Sequence, residues 1–194
     1  MISNRSILGT GFLLISFFLF GQPQHSFSNI EKHIGEYSNY KKPHLLAFDF
    51  SDEDPSYREM PFKIIQIVDS TETNQIYGFV YKGYQNTKRP IKFKNGMEFQ
   101  FQKFVNNYSF HNPLGKSIVM VVTDFWIDKK KELSKKFGVI SMKINYYESG
   151  RLIFSDIQVE SLQKSSTKLK FHVALISKML SSSMERLSAE ITSQ

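Results

Sequence analysis

The clearest structural signal in the sequence is Ile118-Val-Met-Val-Val-Thr-Asp-Phe-Trp-Ile127, whose apolar residues occupy both alternating sets of positions of an extended chain. This pattern is typical of a central β-strand that is covered on much of both faces. A polar loop, Asp128 to Lys136, precedes a second strand at Phe137 to Tyr147, where apolar and polar residues alternate as in a half-buried strand. The turn Glu148-Ser149-Gly150 leads into a third strand at Arg151 to Val159. Three consecutive strands predict an antiparallel meander.

Residues upstream of the meander predict further strands and a helix. Phe62 to Asp69 and Ile76 to Tyr81 are rich in β-branched and aromatic residues and flank a turn, which predicts a β-hairpin. A short third strand is predicted at Pro90 to Phe93. A helix is predicted next, with an apolar face formed by Met97, Phe101, Phe104 and Tyr108. We expect Asn112-Pro113 and Gly115 to end this helical unit.

The C-terminal part of the chain predicts one long amphipathic helix. Ser165, Ser166 and Thr167 are suitable N-cap residues, and no Gly or Pro interrupts the chain after them. Apolar residues then recur at steps of three and four: Leu169, Val173, Ile176, Leu180, Met184, Leu187 and Ile191.

The resulting order, β-β-(β)-α-β-β-β-α, predicts an α+β fold with two helices packed on one face of a mostly antiparallel sheet. We assign residues 62–194 to this single domain. Residues 29–61 contain three prolines and little patterning, and we expect a partly ordered N-terminal arm with one short strand near Leu45 to Phe48.

Residues 1–28 have the pattern of a secretory signal peptide. Arg5 precedes the apolar stretch Ile7 to Phe20, and Ser26 and Ser28 place small residues before a cleavage site between Ser28 and Asn29. As a helix the apolar stretch would span roughly 21 Å, less than the ~30 Å hydrocarbon core of a membrane. Cleavage is therefore favoured over the alternative, a retained membrane anchor.

The composition narrows the class of protein. The chain has 194 residues, 41% of them hydrophobic and 14% aromatic, which is typical of a folded domain. It has no cysteine, which excludes disulfides, thiolate metal sites and a cysteine nucleophile. An exported domain without disulfides fits a bacterial envelope protein, so we predict a periplasmic or secreted location.

No motif predicts a catalytic, cofactor or metal site. Gly115-Lys116-Ser117 lacks the upstream glycine of a phosphate-binding loop, and it precedes a strand where that loop requires a helix. The histidines outside the signal sequence are not at metal-ligand spacing, and no Gly-x-Ser-x-Gly elbow occurs. We therefore predict a non-enzymatic protein without a cofactor, although a dyad of scattered Ser and His residues stays open.

Two acidic features are candidate sites. The cluster Asp49 to Asp54 lacks the turn glycine and closing glutamate of a calcium loop, which favours a solvated linker. Asp124 lies among apolar residues, and a buried carboxylate needs a partner or a shifted pKa. We favour the simpler interpretation that Asp124 stands at the exposed end of its strand.

A basic tip is predicted between the first two strands of the meander. One interpretation is a peripheral contact with anionic lipid headgroups or an acidic partner; the other, which we favour, is a soluble loop that guards the sheet edge. Its residues are Lys129, Lys130, Lys131, Lys135 and Lys136.

From Lys116 to about residue 192, the pattern resembles the auxiliary periplasmic components of ABC-type lipid transport systems. The matching features are the strand running into Asp124-Phe125-Trp126, the strand near Phe137–Tyr147, the turn Glu148–Gly150, a third strand, and a final helix with Ala174, Leu175, Lys178 and Met179. Members of that family are usually lipoproteins, whereas this chain has no cysteine to carry a lipid. The resemblance implies a binding role in an envelope complex that handles lipids.

These observations favour an exported, non-enzymatic binding component of an envelope complex. The alternative is a small periplasmic hydrolase or ligand-binding domain with an unrecognised site. A nucleic acid partner is not expected, because the chain has an export signal and no recognisable nucleic-acid-binding module.

Overall fold

The computed structural model describes residues 42–49, 58–82, 87–132, 135–162 and 169–193. The predicted signal sequence, its cleavage site at Ser28–Asn29 and most of the acidic cluster lie outside these ranges. The elements are β1 (His44–Leu46), β2 (Arg58–Asp69), β3 (Phe79–Lys82), β4 (Thr87–Phe93), α1 (Met97–Tyr108), β5 (Ser109–Glu132), β6 (Lys135–Glu148), β7 (Arg151–Leu162) and α2 (Leu169–Ser193).

The predicted α+β fold is confirmed. One sheet has the strand order β2-β5-β6-β7, in which β2 and β5 are parallel and the other neighbours are antiparallel. The predicted meander is therefore present as β5-β6-β7, with β5 in the interior of the sheet. A smaller sheet has the order β1-β4-β3. The two sheets meet where Gly78 forms a bridge with Ile127.

The predicted hairpin between the first two β-rich stretches is wrong. β2 pairs in parallel with β5, and β3 pairs with β4 instead. The Asp69 carboxylate accepts hydrogen bonds from the backbone and hydroxyl of Thr71 and from the Tyr77 hydroxyl. These bonds hold the loop that follows β2. This loop brings Tyr77 beside β5, where the Tyr77 carbonyl accepts a hydrogen bond from the Ile127 amide. The turn residues between β2 and β3 therefore form a loop, and they do not show that these two strands pair with each other.

Two segments expected to be loops belong to strands. Asn112, Pro113 and Gly115 lie within β5, at an irregularity in its pairing with β2. Met60 of β2 pairs with His111 of β5, and Phe62 pairs with Lys116, so β5 has three more residues than β2 between these two pairs. Likewise, the predicted loop from Asp128 to Lys136 is mostly strand, because β5 continues to Glu132 and β6 begins at Lys135.

Both helices pack on the same face of the four-stranded sheet, which we call the inner face. α1 contributes Phe101, whose ring lies 5.5 Å from that of Phe93 and 6.1 Å from that of Phe125. The predicted stripe of α2 is buried at Ile176, Leu180, Met184 and Leu187. The short strand expected near Leu45 to Phe48 is present as β1, and Leu46 and Phe48 are buried in the same core.

Candidate functional site

The opposite side of the four-stranded sheet, which we call the outer face, is covered by no helix of the described chain. The residues of the outer face are identified from the strand pairing, because directly paired residues share a face and successive residues along a strand alternate between faces. None of its central residues is buried: Val119, Val121, Asp124 and Trp126 on β5, and Val139, Ser141, Lys143, Asn145 and Tyr147 on β6. The two-sided apolar pattern of β5 therefore reflects one buried face and one half-exposed face.

Trp126 marks the border of the outer face on the side of the smaller sheet. It lies directly opposite Ser141, and its ring packs edge-on against Phe79 of β3, with centroids 6.0 Å apart. Lys88 lies on β4, which pairs with β3, and its ammonium lies 4.2 Å from the centroid of the Phe79 ring. Trp126 therefore packs against a neighbouring strand while it remains half-exposed on the outer face.

Asp124 lies in the interior of β5, directly opposite Lys143, so the predicted place at an exposed strand end is wrong. Burial raises the pKa of Asp124, and the Lys143 ammonium and the Phe125 amide offset only part of that effect. The outer face thus combines apolar side chains with two opposite charges, on the paired residues Asp124 and Lys143, at its centre.

The outer side of β7 is unusually apolar. Ile157 is 70% exposed and Val159 is 65% exposed, while Asp156 and Gln158 point to the inner face and are buried. This inverts the usual arrangement of an antiparallel sheet, in which the apolar set of a strand faces the core.

Contacts from α2 hold this inverted register. The Arg186 guanidinium donates to the Asp156 carboxylate at 2.7 Å, and the Gln158 side-chain amide donates to the Met179 carbonyl at 2.8 Å. The Gln158 amide also donates to Asp156 at 2.8 Å. Because the buried polar groups have partners, the inner face tolerates them and the apolar residues are left on the outer side.

Two further polar clusters are structural. On the inner face, the buried Tyr146 and Ser183 hydroxyls are 2.7 Å apart, and burial raises the pKa of Tyr146. At the edge formed by β2, Arg58 and Tyr108 both donate to the Glu185 carboxylate. Burial, together with that carboxylate, raises the pKa of Tyr108 to about 12. These contacts join β2, α1 and α2.

The described ranges bring together no group of side chains suited to bind a metal ion. No group of three or more His, Asp or Glu residues within them is placed to hold a metal ion. His172 is buried on α2, at the inner face, whereas Asp124 is on the outer face, so the sheet separates these two candidates. No described helix is both long and apolar enough to cross a bilayer.

The structure brings the five predicted lysines to one end of the β5–β6 hairpin. Lys131 pairs with Lys136, Lys129 with Gly138, and Lys130 with Phe137. β7 ends at the pair Gly138–Leu162, so this part of the hairpin extends beyond β7. The lysines therefore occupy strand ends rather than the loop that the sequence predicted. The cleavage residues Ser28 and Asn29 are not among the described residues.

Sequence analysis missed the exposed pair Ile157 and Val159. A signal is present, because polar and apolar residues alternate from Asp156 to Glu160 (Asp-Ile-Gln-Val-Glu). That alternation predicts a strand but not which parity is buried. Here the parity depends on Arg186 and Met179, which lie far along the chain.

Comparison with known proteins assigns no family to this chain. No family model matches it, and no curated protein does. One similar solved structure is described as an uncharacterized protein; it is 11% identical, has a TM-score of 0.39, and the match covers 77% of this chain and 99% of that chain. Another is a protein from Xanthomonas campestris described under the family DUF330, at 11% identity and a TM-score of 0.38, with 79% and 94% covered. Values this low carry no functional argument.

Proposed function

We propose that this chain is an exported, non-enzymatic binding component of a bacterial envelope complex, and that it binds a protein partner through the outer face. The observation that carries the proposal is the uncovered face itself. Half-exposed apolar residues such as Val121, Val139 and Tyr147 lie across its central strands, and no helix of the described chain packs on them. Contiguous exposed apolar surface of this kind marks interaction sites.

The chemistry of the face favours a protein over an acyl chain. Asp124 and Lys143 carry opposite charges on directly paired residues at its centre, and Ser141 and Asn145 add hydrogen-bonding groups nearby. A lipid tail over this face would take the Asp124 carboxylate and the Lys143 ammonium out of water without offering them hydrogen bonds, which is costly. A protein surface supplies both apolar contacts and hydrogen bonds, as protein–protein interfaces ordinarily do.

The kind of complex is inferred from the sequence pattern. Residues 116–192 resemble auxiliary components of ABC-type lipid transport systems, so we propose that the partner belongs to a lipid-handling assembly. The signal sequence at residues 1–28 supports an envelope location, with the mature chain beginning at Asn29.

Site-specific photo-crosslinking in intact cells tests the binding face. A photoreactive residue at Ser141 should crosslink to a specific envelope protein, whereas one at Phe99, which is 53% exposed on α1, should not. Ser141→Arg should abolish capture from a photoreactive residue at Asn145, and Phe99→Arg should leave it intact. Both variants should keep the wild-type melting temperature, because each replaces a surface side chain.

Equal capture from Ser141 and Phe99, or capture that Ser141→Arg leaves unchanged, would contradict the proposed face. Hydrolysis of lipid esters by the purified protein would support the enzymatic alternative instead.

Export of the protein is tested by a separate measurement. N-terminal sequencing of the mature protein should start within a few residues of Asn29, and retention of Met1 in the membrane fraction would contradict cleavage.

A further inference from the structure

The smaller sheet carries a row of lysines on the side that points away from the core. Ile91 and Phe93 of β4 are buried, so Lys92 between them points outward. By the same alternation Lys88 points outward as well, and the exposed Lys94 directly follows β4. We call Lys88, Lys92 and Lys94 the basic row. Its members follow one extended strand, with about 13 Å between Lys88 and Lys92.

No acidic residue balances the basic row within its own sheet. β1, β3 and β4 contain no Asp or Glu, whereas β3 and β4 together contain three lysines and one arginine. Among the described residues, no carboxylate forms an ion pair with Lys92 or Lys94. Protein surfaces usually intersperse both signs of charge, and a region of one sign attracts ligands of the other. The basic row is therefore complementary to an anionic partner.

Protection of a sheet edge does not account for the basic row. Lysine on an edge strand opposes pairing with another chain. β4, however, is the central strand of its sheet, because it pairs with β1 on one side and with β3 on the other. Its lysines therefore have no open strand edge to block, and the surface that they present is the outward side of the sheet.

The basic row adjoins the outer face of the larger sheet. The Lys88 ammonium lies 4.2 Å from the centroid of the Phe79 ring, and that ring packs against Trp126 at the border of the outer face. Contact with the Phe79 ring also favours a defined position for the ammonium. Farther along the row, Leu45 lies directly beside Lys92 and is 47% exposed. A partner that covers Trp126 on the outer face therefore lies next to the basic row.

We propose that the basic row binds an acidic segment of the envelope protein that covers the outer face, an inference that rests on the function proposed above. Asp and Glu carboxylates accept charge-assisted hydrogen bonds from lysine ammonium groups. A protein suits this place better than a membrane surface does. It can set carboxylates over the lysines and still offer hydrogen bonds to Asp124, Lys143 and Asn145 on the adjoining face.

A photoreactive residue at Leu45 tests the basic row in the purified protein. It should crosslink to an octaglutamate peptide at low salt, and added salt or an octaglutamine peptide should give little crosslink. Replacement of Lys88, Lys92 and Lys94 by Gln should reduce the octaglutamate crosslink at least about fivefold, because three attractive charges are lost. A photoreactive residue at Leu152, which is 48% exposed on β7, is the matched control and should not crosslink.

A single substitution keeps the test decisive if the triple variant unfolds. Lys92→Gln should weaken the crosslink about twofold at the wild-type melting temperature, because Lys92 points outward and loses no ion pair. No crosslink from Leu45, equal crosslinks from Leu45 and Leu152, or a crosslink that these substitutions leave unchanged would overturn the proposal. So would sedimentation with anionic vesicles that the substitutions abolish, because the basic row would then bind a membrane surface.

The same position tests whether the acidic segment belongs to the proposed partner. In intact cells, a photoreactive residue at Leu45 should capture the envelope protein that is captured from Ser141. Mass spectrometry should find the crosslinked segment of that protein rich in Asp and Glu. Capture from Ser141 without capture from Leu45 would overturn this inference alone. Octaglutamate crosslinking from Leu45 without any capture from Ser141 would support the basic row and contradict the proposed function.

Discussion

Gly78 shows how one residue holds the two sheets together. Its φ of +136° is a conformation that other residues rarely adopt, and a Cβ there would lie 2.2 Å from the Ile127 carbonyl oxygen. Gly78→Ala should therefore lower the free energy of unfolding by at least about 3 kcal/mol. Gly150→Ala, at φ +81° with open space around it, should cost only about 1 kcal/mol. Urea unfolding of both variants checks the difference; equal losses would contradict a role for close packing at Gly78.

Asp124 should make stability depend on pH. Burial raises its pKa above the ordinary value of 3.8, so the folded protein holds the proton more tightly than the unfolded chain does. The free energy of unfolding then falls as the pH rises through the folded-state pKa. Asp124→Asn should be more stable than the wild type at pH 7, and the difference should shrink as the pH falls toward 3.8. Urea unfolding across this range checks the prediction, and a difference that does not change with pH would contradict it.

At the scale of an element, α2 is the clearest test of the helical face predicted from periodicity. Leu180 is fully buried, so Leu180→Asp should lower the free energy of unfolding by at least about 3 kcal/mol. Ala174→Asp introduces the same residue at an exposed position of the helix and should lower the free energy of unfolding by no more than about 1 kcal/mol. Lys178 is a poorer control, because it pairs with Glu160 at 3.3 Å. Thermal melts that respond equally to both changes would contradict the assigned face.

The elements that the sequence predicted correctly are those whose evidence is local. Both helices and the β5-β6-β7 meander follow from periodicity and short turns within each segment. The β2–β5 pairing joins residues far apart along the chain, and nothing near Phe62 to Asp69 reveals it. The outer face was missed for a similar reason, because the buried parity of β7 depends on Arg186. Periodicity identifies a strand, whereas its neighbours and its buried side are properties of the whole fold.

Across the whole molecule, positive charge is concentrated at one end of the four-stranded sheet. The chain has a formal net charge of +7, and five of its lysines lie at the end of the β5–β6 hairpin. There β6 extends beyond the last pair with β7, and β5 extends beyond the bridge to Gly78. Both strands therefore have unpaired sides within the described chain, and lysine at such positions opposes pairing with another chain.

Replacement of Lys129, Lys130, Lys131, Lys135 and Lys136 by Gln tests whether these lysines guard the edges or bind a membrane. If they guard the edges, the variant should aggregate more than the wild type in light scattering, and its melting temperature should change little. The wild type should then show no binding to anionic vesicles at low salt. If the lysines contacted lipid headgroups, each would contribute on the order of 1 kcal/mol to binding, and salt would weaken it. Salt-sensitive vesicle binding that the five substitutions abolish would contradict the guarding role, because edge protection requires no anionic surface.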